Sequence, residues 1–300
     1  MRYETLIIIK QKSGKFAKNP CNYCGDGVVS TATDSSSKRY ETCDTDSSGN
    51  IILPGNTSFN KSCTSITSTD ASGTFIVPFS GIYEIKLDGA NGGSGGDGYK
   101  AENGNTGSQT SGFSGSGGTR VTAQYYLTAG TTLSYTLGRN GSNGAGNKST
   151  FQRKGGAGGA GGSGYQTGNS GNSGDNGKNP TFCKDSGGGG GGGGAGGSSA
   201  VMISGTVLMS AASGAGGASG HGANNTSCIS TQLGGSGGSG GASVGSNSYQ
   251  SGSGTGWAYY TGWDTASTSG IGWIQITMKK YAPCNSCKLE TNTSNFVNCN

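Results

Sequence analysis

Short apolar runs separated by glycine-rich stretches are the dominant pattern along this chain. Runs of this length, bounded by glycine and other turn-forming residues, are typical of β-strands. Within residues 82–87, apolar and polar positions alternate after a Pro-Phe-Ser-Gly turn, which indicates a strand with one buried face. The pattern predicts a mainly β chain with strands at residues 75–79, 82–87, 121–127, 133–137, 201–209 and 271–281, and with short candidates at 5–10 and 51–54.

Glycine recurs at every third position between these runs. A period of three matches the left-handed polyproline II helix, whose backbone groups must find hydrogen-bond partners outside the helix. Where such helices pack side by side, the contact edges leave no room for a side chain, so glycine is required there. The spacing predicts a bundle of polyglycine II helices inserted between the strands, with glycines in register at 92, 95, 98, 104 and 107, at 156, 159, 162, 168, 171, 174 and 177, at 214, 217 and 220, and at 235, 238 and 241.

Two other structures share a glycine-rich composition. Collagen also has a three-residue period, but it needs long Gly-X-Y repeats with abundant proline, and the middle of this chain holds only Pro180. A flexible glycine-serine linker remains an alternative, because 64 glycines and 30% hydrophobic residues leave little side-chain core. The strand candidates between the tracts favour an ordered bundle over a linker.

Matching cysteine motifs occur near the two ends of the chain. PCNYC at residues 20–24 and PCNSC at residues 283–287 are each followed by a polar spacer and one further cysteine, Cys43 or Cys299. We interpret them as two copies of a small cysteine-rich unit. The predicted domains are a polar leader with the first unit at residues 1–72, a glycine-rich domain at residues 73–281, and the start of the second unit at residues 282–300.

The nine cysteines allow two interpretations. Two CxxC pairs could supply four thiolates to a tetrahedral structural zinc, with Cys21, Cys24, Cys284 and Cys287 as the ligands. The additional single cysteines exceed what a zinc site needs and favour disulfides in an oxidising compartment, with candidates at Cys21, Cys24, Cys43, Cys63, Cys183, Cys228, Cys284 and Cys287. Because nine is an odd number, at least one thiol must be free, bonded between two chains or paired with a residue outside this chain, and Cys299 is the candidate.

Charge and hydropathy argue against two classes of partner. The net charge of +5 is spread over a chain with 12% charged residues, without the basic stripe and interleaved aromatics typical of nucleic-acid binding. No run approaches the ~18 apolar residues that a membrane span requires. The opening residues MRYETLIIIK have too few apolar positions for a signal peptide, so a surface location requires an export signal outside this chain or another route.

The sequence contains little that predicts catalysis. His221, the single histidine, lies among glycines without a nearby carboxylate, and the acidic residues are scattered rather than paired. We therefore predict no enzyme and no cofactor. The aromatic cluster GWAYYTGWD could form an exposed patch for sugar or protein contact, or its alternate members could fill the sandwich core; its residues are Trp257, Tyr259, Tyr260 and Trp263.

Four blocks of the chain carry a family resemblance. They are FIVPFSGIYEIKLDGANGGSGG at 75–96, VTAQYYLTAGTTLSYTLGRNG at 121–141, SSAVMISGTVLMSAASGAGG at 198–217 and GIGWIQITMKKY at 270–281. In this order they resemble the glycine-rich extracellular domain found in anaplastic lymphoma kinase, leukocyte tyrosine kinase and many bacterial surface proteins. The resemblance covers residues 73–281 and implies a jelly-roll sandwich like that of tumour necrosis factor, with inserted polyglycine helices and a hairpin turning at Ala129 and Gly130. The flanking cysteine pairs depart from most members of that family.

Three functions are compatible with these observations. The first is a non-enzymatic extracellular or pilus-associated adhesion module, a stiff platform that presents binding loops to a protein or glycan ligand. The second is a phage tail-fibre tip that recognises a host receptor and assembles with reduced cysteines. The third is a receptor ectodomain fragment that binds a protein ligand, with the cysteine-rich units as adjoining modules.

Overall fold

The computed structural model describes residues 51–53, 57–59, 65–77, 81–102, 109–128, 130–179, 184–225, 233–266, 270–281 and 297–298. The strand candidate at residues 5–10 and all nine cysteines lie outside these ranges. In chain order the strands are β1 (Ile51–Leu53), β2 (Thr57–Phe59), β3 (Ser65–Ser68), β4 (Ser72–Ile76), β5 (Gly81–Asp88), β6 (Thr119–Leu127), β7 (Thr132–Thr136), β8 (Ser199–Ile203), β9 (Thr206–Ala211), β10 (Ser248–Tyr249), β11 (Ser253–Gly254), β12 (Trp257–Ala266), β13 (Trp273–Tyr281) and β14 (Val297–Asn298).

The strands form two large antiparallel sheets and one short pair. In the described part of the chain, one sheet has seven strands, in the order β11-β12-β6-β5-β13, with both β14 and β3 pairing on β13. The other has five strands in the order β10-β9-β8-β7-β4, and β1 pairs with β2 separately. The chain is therefore mainly β, as the sequence predicts.

One hydrophobic core joins the two sheets. Alternate residues of β5 and β6 point inward because successive side chains of a strand face opposite sides of the sheet. They meet the buried side chains of β7, β8 and β9, and the shared core includes Tyr83, Ile85, Leu87, Val121, Tyr125, Leu133, Val201, Leu208, Met209, Ile274 and Ile276. The hydroxyl of Tyr125 donates to the carbonyl of Leu208 on the opposite sheet at 2.9 Å. This shared core is the arrangement of a β-sandwich.

Two connections differ from the sequence-based expectation. The resemblance implies a hairpin at Ala129 and Gly130, but β6 lies in the seven-stranded sheet and β7 in the five-stranded sheet, so the chain crosses between sheets there. The expected single strand at 201–209 is instead a hairpin of β8 and β9. Its turn residues Ser204 and Gly205 have φ angles of 48° and 80°, which is the left-handed conformation that a two-residue hairpin turn requires.

Eight glycine-rich segments extend from the sandwich in the described part of the chain, and they contain neither helix nor strand. We number them segment 1 (89–101), segment 2 (109–118), segment 3 (138–147), segment 4 (155–164), segment 5 (166–178), segment 6 (186–198), segment 7 (212–225) and segment 8 (233–245). Neighbouring segments are hydrogen-bonded through their backbones at every third residue. Segments 1 and 6, for example, are joined at Ala90 to Gly197, Gly93 to Gly194, Gly96 to Gly191 and Tyr99 to Gly188.

Segment 6 lies at the centre of this bundle and is bonded to six other segments. Its successive backbone N–H groups donate in rotation to segments 3, 5 and 7, as in Gly191 to Ala145, Gly192 to Asn172 and Gly193 to Gly217, at 2.7 to 2.9 Å. Its carbonyls accept from segments 1, 4 and 8 with the same three-residue rotation. The backbone polar groups of the central segment are satisfied without a side chain.

The same packing explains why segment 6 contains eight consecutive glycines, Gly187–Gly194. A Cβ atom added at Gly191 would lie 1.9 Å from the carbonyl oxygen of Ala157, and one at Gly192 would lie 2.0 Å from that of Ser239. One at Gly193 would lie 2.1 Å from the carbonyl oxygen of Gly93. These three oxygens belong to three different segments, so at these three positions the neighbouring segments leave no room for a side chain.

Outer segments carry polar side chains that complete the hydrogen bonding at the rim. The Asn143 carbonyl oxygen Oδ1 accepts from the backbone N–H of Ser94 at 2.8 Å, and Asn140 Oδ1 accepts from Asn91 at 3.2 Å. On another side, Asn172 Nδ2 donates to Ser239 Oγ at 2.7 Å. Asparagine and serine side chains therefore add hydrogen bonds between neighbouring segments at the rim of the bundle.

Candidate functional site

The molecule has a bundle end and a loop end. Each strand from β5 to β10 is continuous with a glycine segment, so one end of the sandwich is occupied by the bundle. The opposite ends of the same strands meet at loops that contain Gly130, Ser204, Gly205 and Gly256. Binding residues are commonly placed on loops held by a rigid scaffold, so the loop end is a candidate binding site.

An ion pair marks the junction between sandwich and bundle. Arg120 donates from Nε and Nη2 to the two carboxylate oxygens of Asp88, both at 2.7 Å, and its guanidinium lies 4.8 Å from the ring centre of Trp273. Hydrogen bonding to Asp88, whose side chain is fully buried, raises the pKa of Arg120 above its ordinary value. The Ser199 hydroxyl donates to the Asp88 carbonyl at 2.6 Å. We interpret this group as structural, because it joins three strands where they enter the bundle.

The aromatic cluster of β12 is divided between core and surface. Trp257 is buried, and its ring lies edge-on to Tyr125 with centroids 5.9 Å apart. Tyr259 is half-buried and stacks on Tyr249 with centroids 5.8 Å apart and parallel ring planes. The interpretation that alternate members of the cluster fill the sandwich core therefore applies to Trp257 and Tyr259. These two side chains are not available to a partner.

Tyr260 and Trp263 are the exposed members of that cluster, at 41% and 40%. The pairing of β12 with β6 shifts between Tyr259 and Thr261, which places Tyr260 in a β-bulge. Trp263 pairs with Thr122 on the outer face of the seven-stranded sheet, and Lys86 is the next residue across that face. An exposed aromatic pair beside polar side chains is suited to contact with a sugar ring or a protein surface.

A groove with a cavity volume of about 600 Å³ lies at the loop end. It runs between the β6–β7 crossing, the β8–β9 turn and the β11–β12 turn, and among the described residues no charged side chain lines it. The Thr131 hydroxyl donates to the Gly256 carbonyl at 3.3 Å and so ties two of these loops together. The lining residues are Gly130, Thr131, Thr132, Ser134, Ile203, Ser204, Gly205, Thr255 and Gly256.

The other sequence candidates do not assemble into a site among the described residues. His221 lies on segment 7, exposed, and its Nδ1 accepts a hydrogen bond from the backbone N–H of Gly237 at 3.3 Å. Those residues include no group of three or more His, Cys, Asp or Glu side chains that could hold a metal ion. The zinc and disulfide candidates, from Cys21 to Cys287, and Cys299 lie outside the described ranges.

The groove and the central position of segment 6 were not predicted from the sequence. The dipeptide Ser204–Gly205 is a hairpin-turn signal, and the eight-glycine run in segment 6 is the signal for a segment with neighbours on all sides. Within the described ranges, no helix is long and apolar enough to cross a membrane. No protein-family model matches the chain, and no curated protein matches it.

Proposed function

We propose that this chain is a non-enzymatic adhesion and interaction module of a cell surface or pilus, which binds a protein or glycan ligand in the extracellular space. In this proposal the sandwich is a jelly roll of the kind found in the glycine-rich extracellular domains, and the glycine segments are polyglycine II helices. The bundle serves as a stiff platform. The sandwich presents the binding residues.

The observation that carries the proposal is the exposure of Tyr260 and Trp263 on a strand whose other aromatics, Trp257 and Tyr259, are buried or half-buried. Two large aromatic side chains left in solvent three residues apart on one strand are characteristic of interaction surfaces. They lie on β12, which pairs with β6 in the seven-stranded sheet on both sides of the bulge at Tyr260. The aromatic pair is therefore displayed on a rigid element, which lowers the entropy lost on binding.

Support for a stiff platform comes from the hydrogen bonds of segment 6. Bonds that rotate among six neighbours with a three-residue period are those expected of helices with three residues per turn. A disordered glycine-serine linker would have no such repeat. A platform held in this way keeps the sandwich at a fixed distance from the surface that carries it.

Support for a non-enzymatic role comes from how the buried ionisable groups are used. The Asp88 carboxylate accepts hydrogen bonds from Nε and Nη2 of Arg120, and the Tyr125 hydroxyl donates to the Leu208 carbonyl across the core. Groups engaged in this way stabilise the fold and are not presented to a substrate.

Adhesion under flow tests the proposal. Beads carrying the full chain should be retained on mucin-coated surfaces or on cell layers, and the double variant Tyr260→Ala, Trp263→Ala should reduce retention at least about tenfold, because central aromatic contacts dominate binding energy. Phe113→Ala is the matched control, since Phe113 is an aromatic residue that is 67% exposed but lies on segment 2. Absence of wild-type retention on both surfaces, or equal retention by the double variant, would contradict the proposed function.

A further inference from the structure

The loop-end groove has the chemistry of a polar, uncharged binding site. Thr132 and Ser134 lie on the same face of β7, because Leu133 between them is buried in the core. Residues two apart on a strand place their hydroxyls about 7 Å from each other along one wall. Thr255 lines the groove from the β11–β12 turn. Each hydroxyl can both donate and accept a hydrogen bond.

Apolar surface accompanies these hydroxyls. Ile76 on the edge strand β4 pairs with Thr132 and is 65% exposed. An isoleucine left in water beside a polar groove offers a dispersion contact to a ligand that has an apolar face. Glycines at 130 and 205 leave the backbone open to close approach, because a Cβ atom added at either one meets nothing within 4 Å.

We propose that this groove binds a neutral oligosaccharide, at a site distinct from Tyr260 and Trp263. A sugar ring has hydroxyls around its edge and C–H groups on its faces, which match the threonine and serine hydroxyls and the exposed Ile76 beside them. The described lining residues are all uncharged, which disfavours acidic sugars and charged peptides, whose charges would be desolvated without a partner there. A volume of about 600 Å³ lies within the range of small-ligand sites and accommodates two or three sugar units.

Calorimetric titration of the full chain with neutral trisaccharides of glucose, galactose and mannose tests this proposal, with a sulfated heparin trisaccharide and a neutral tripeptide as competing classes. At least one neutral trisaccharide should bind, and the sulfated sugar and the peptide should not. The double variant Thr132→Val, Ser134→Ala should weaken binding at least about tenfold, since it removes two hydrogen-bonding groups while keeping similar side-chain volume.

Thr136→Val is the matched control, because Thr136 lies on the same face of β7 but nearer the bundle and does not line the groove. It should bind as the wild type does. Thr255→Ala provides an independent variant from the opposite wall and should also weaken binding. Preferential binding of the sulfated sugar or the peptide, or no binding of any neutral trisaccharide, overturns the proposal.

The aromatic variants separate this inference from the proposed function. Tyr260→Ala, Trp263→Ala should leave trisaccharide binding within twofold of the wild type even where it abolishes adhesion under flow. If trisaccharide binding is lost in that variant but kept in Thr132→Val, Ser134→Ala, the sugar binds at Tyr260 and Trp263, and the proposal that it binds in the groove is wrong.

Discussion

The sandwich and the glycine bundle are two halves of one molecule that are stabilised in opposite ways. The sandwich buries side chains between two sheets, among them Tyr83, Ile85 and Leu133, and its stability comes mainly from apolar surface removed from water. The bundle buries almost only backbone, and its polar groups are satisfied by neighbouring segments. Segment 6 is fully buried and yet contributes only Ala195 to the buried hydrophobic residues.

This difference determines which substitutions each half can accept. A side-chain core accepts many hydrophobic residues of similar volume, because neighbouring side chains can rearrange. A backbone core has no side chains to rearrange, so any added atom must push two chains apart. The bundle is therefore the more demanding half with respect to sequence, although its composition is the simpler one.

Gly193→Ala should have the largest effect and is the most direct way to break the bundle. The added Cβ would lie 2.1 Å from the Gly93 carbonyl oxygen, so segments 1 and 6 must separate and their hydrogen bonds must lengthen. We expect a loss of about 4 kcal/mol or more in the free energy of unfolding, which is at the extreme of single substitutions. Urea denaturation measures this loss.

Gly252→Ala is the control for that substitution, because a Cβ at Gly252 meets nothing within 4 Å. Its unfolding free energy should stay within about 0.5 kcal/mol of the wild type. A similarly small effect of Gly193→Ala would show that segment 6 does not lie in contact with segment 1.

Leu133→Ala should have the next largest effect and probes the sandwich half. Leu133 is fully buried in the core between the sheets, and truncation to alanine costs about 3 kcal/mol in sites of this kind. Hydrogen exchange tests whether the two halves unfold separately, because bundle amides such as that of Gly193 should keep their relative protection in this variant. Equal loss of protection in both halves would show that they unfold as one unit.

Alkaline pH should have the smallest effect, and it acts on the sandwich through Tyr125. Burial raises the pKa of Tyr125, whereas in the unfolded chain this tyrosine titrates near ~10. The folded state therefore resists losing a proton that the unfolded state releases. This contribution to stability is complete below pH ~10 and declines above it, by about 1.4 kcal/mol at pH 11.

Tyr125→Phe isolates that contribution. The variant loses the hydrogen bond to Leu208, which costs about 1 kcal/mol at neutral pH, and the Leu208 carbonyl still accepts from Gln250. Its unfolding free energy should fall less steeply between pH 9 and pH 11 than that of the wild type. Parallel pH profiles would mean that Tyr125 is not the group responsible.

The sequence predicts the local elements well because local patterns determine them. Apolar runs bounded by glycine gave β5, β6 and β7 close to their observed bounds. The glycine triplets predicted that bare backbones pack closely, without predicting which segments are neighbours, and those at 156, 159 and 162 donate to segment 6 as a regular series. In both cases the period of the pattern is the period of the structure.

Pairings between distant residues could not be predicted in this way. The sheet change between β6 and β7 depends on which strands lie beside them, β5 and β12 for one and β4 and β8 for the other. The split of the aromatic cluster depends on a bulge at Tyr260, which no alternation rule reveals. The groove requires three loops that are far apart in the chain, so it exists only in the folded molecule.

The continuity of β5 to β10 with glycine segments has a mechanical consequence. A pull on the loop end is transmitted into the bundle through several parallel covalent paths rather than through one linker. Neighbouring antiparallel segments, such as 1 and 6, would then be loaded in shear, so that many hydrogen bonds must rupture together before the chain extends. Such an arrangement suits a protein that must hold a load, and its failure force should rise with the length of the segments.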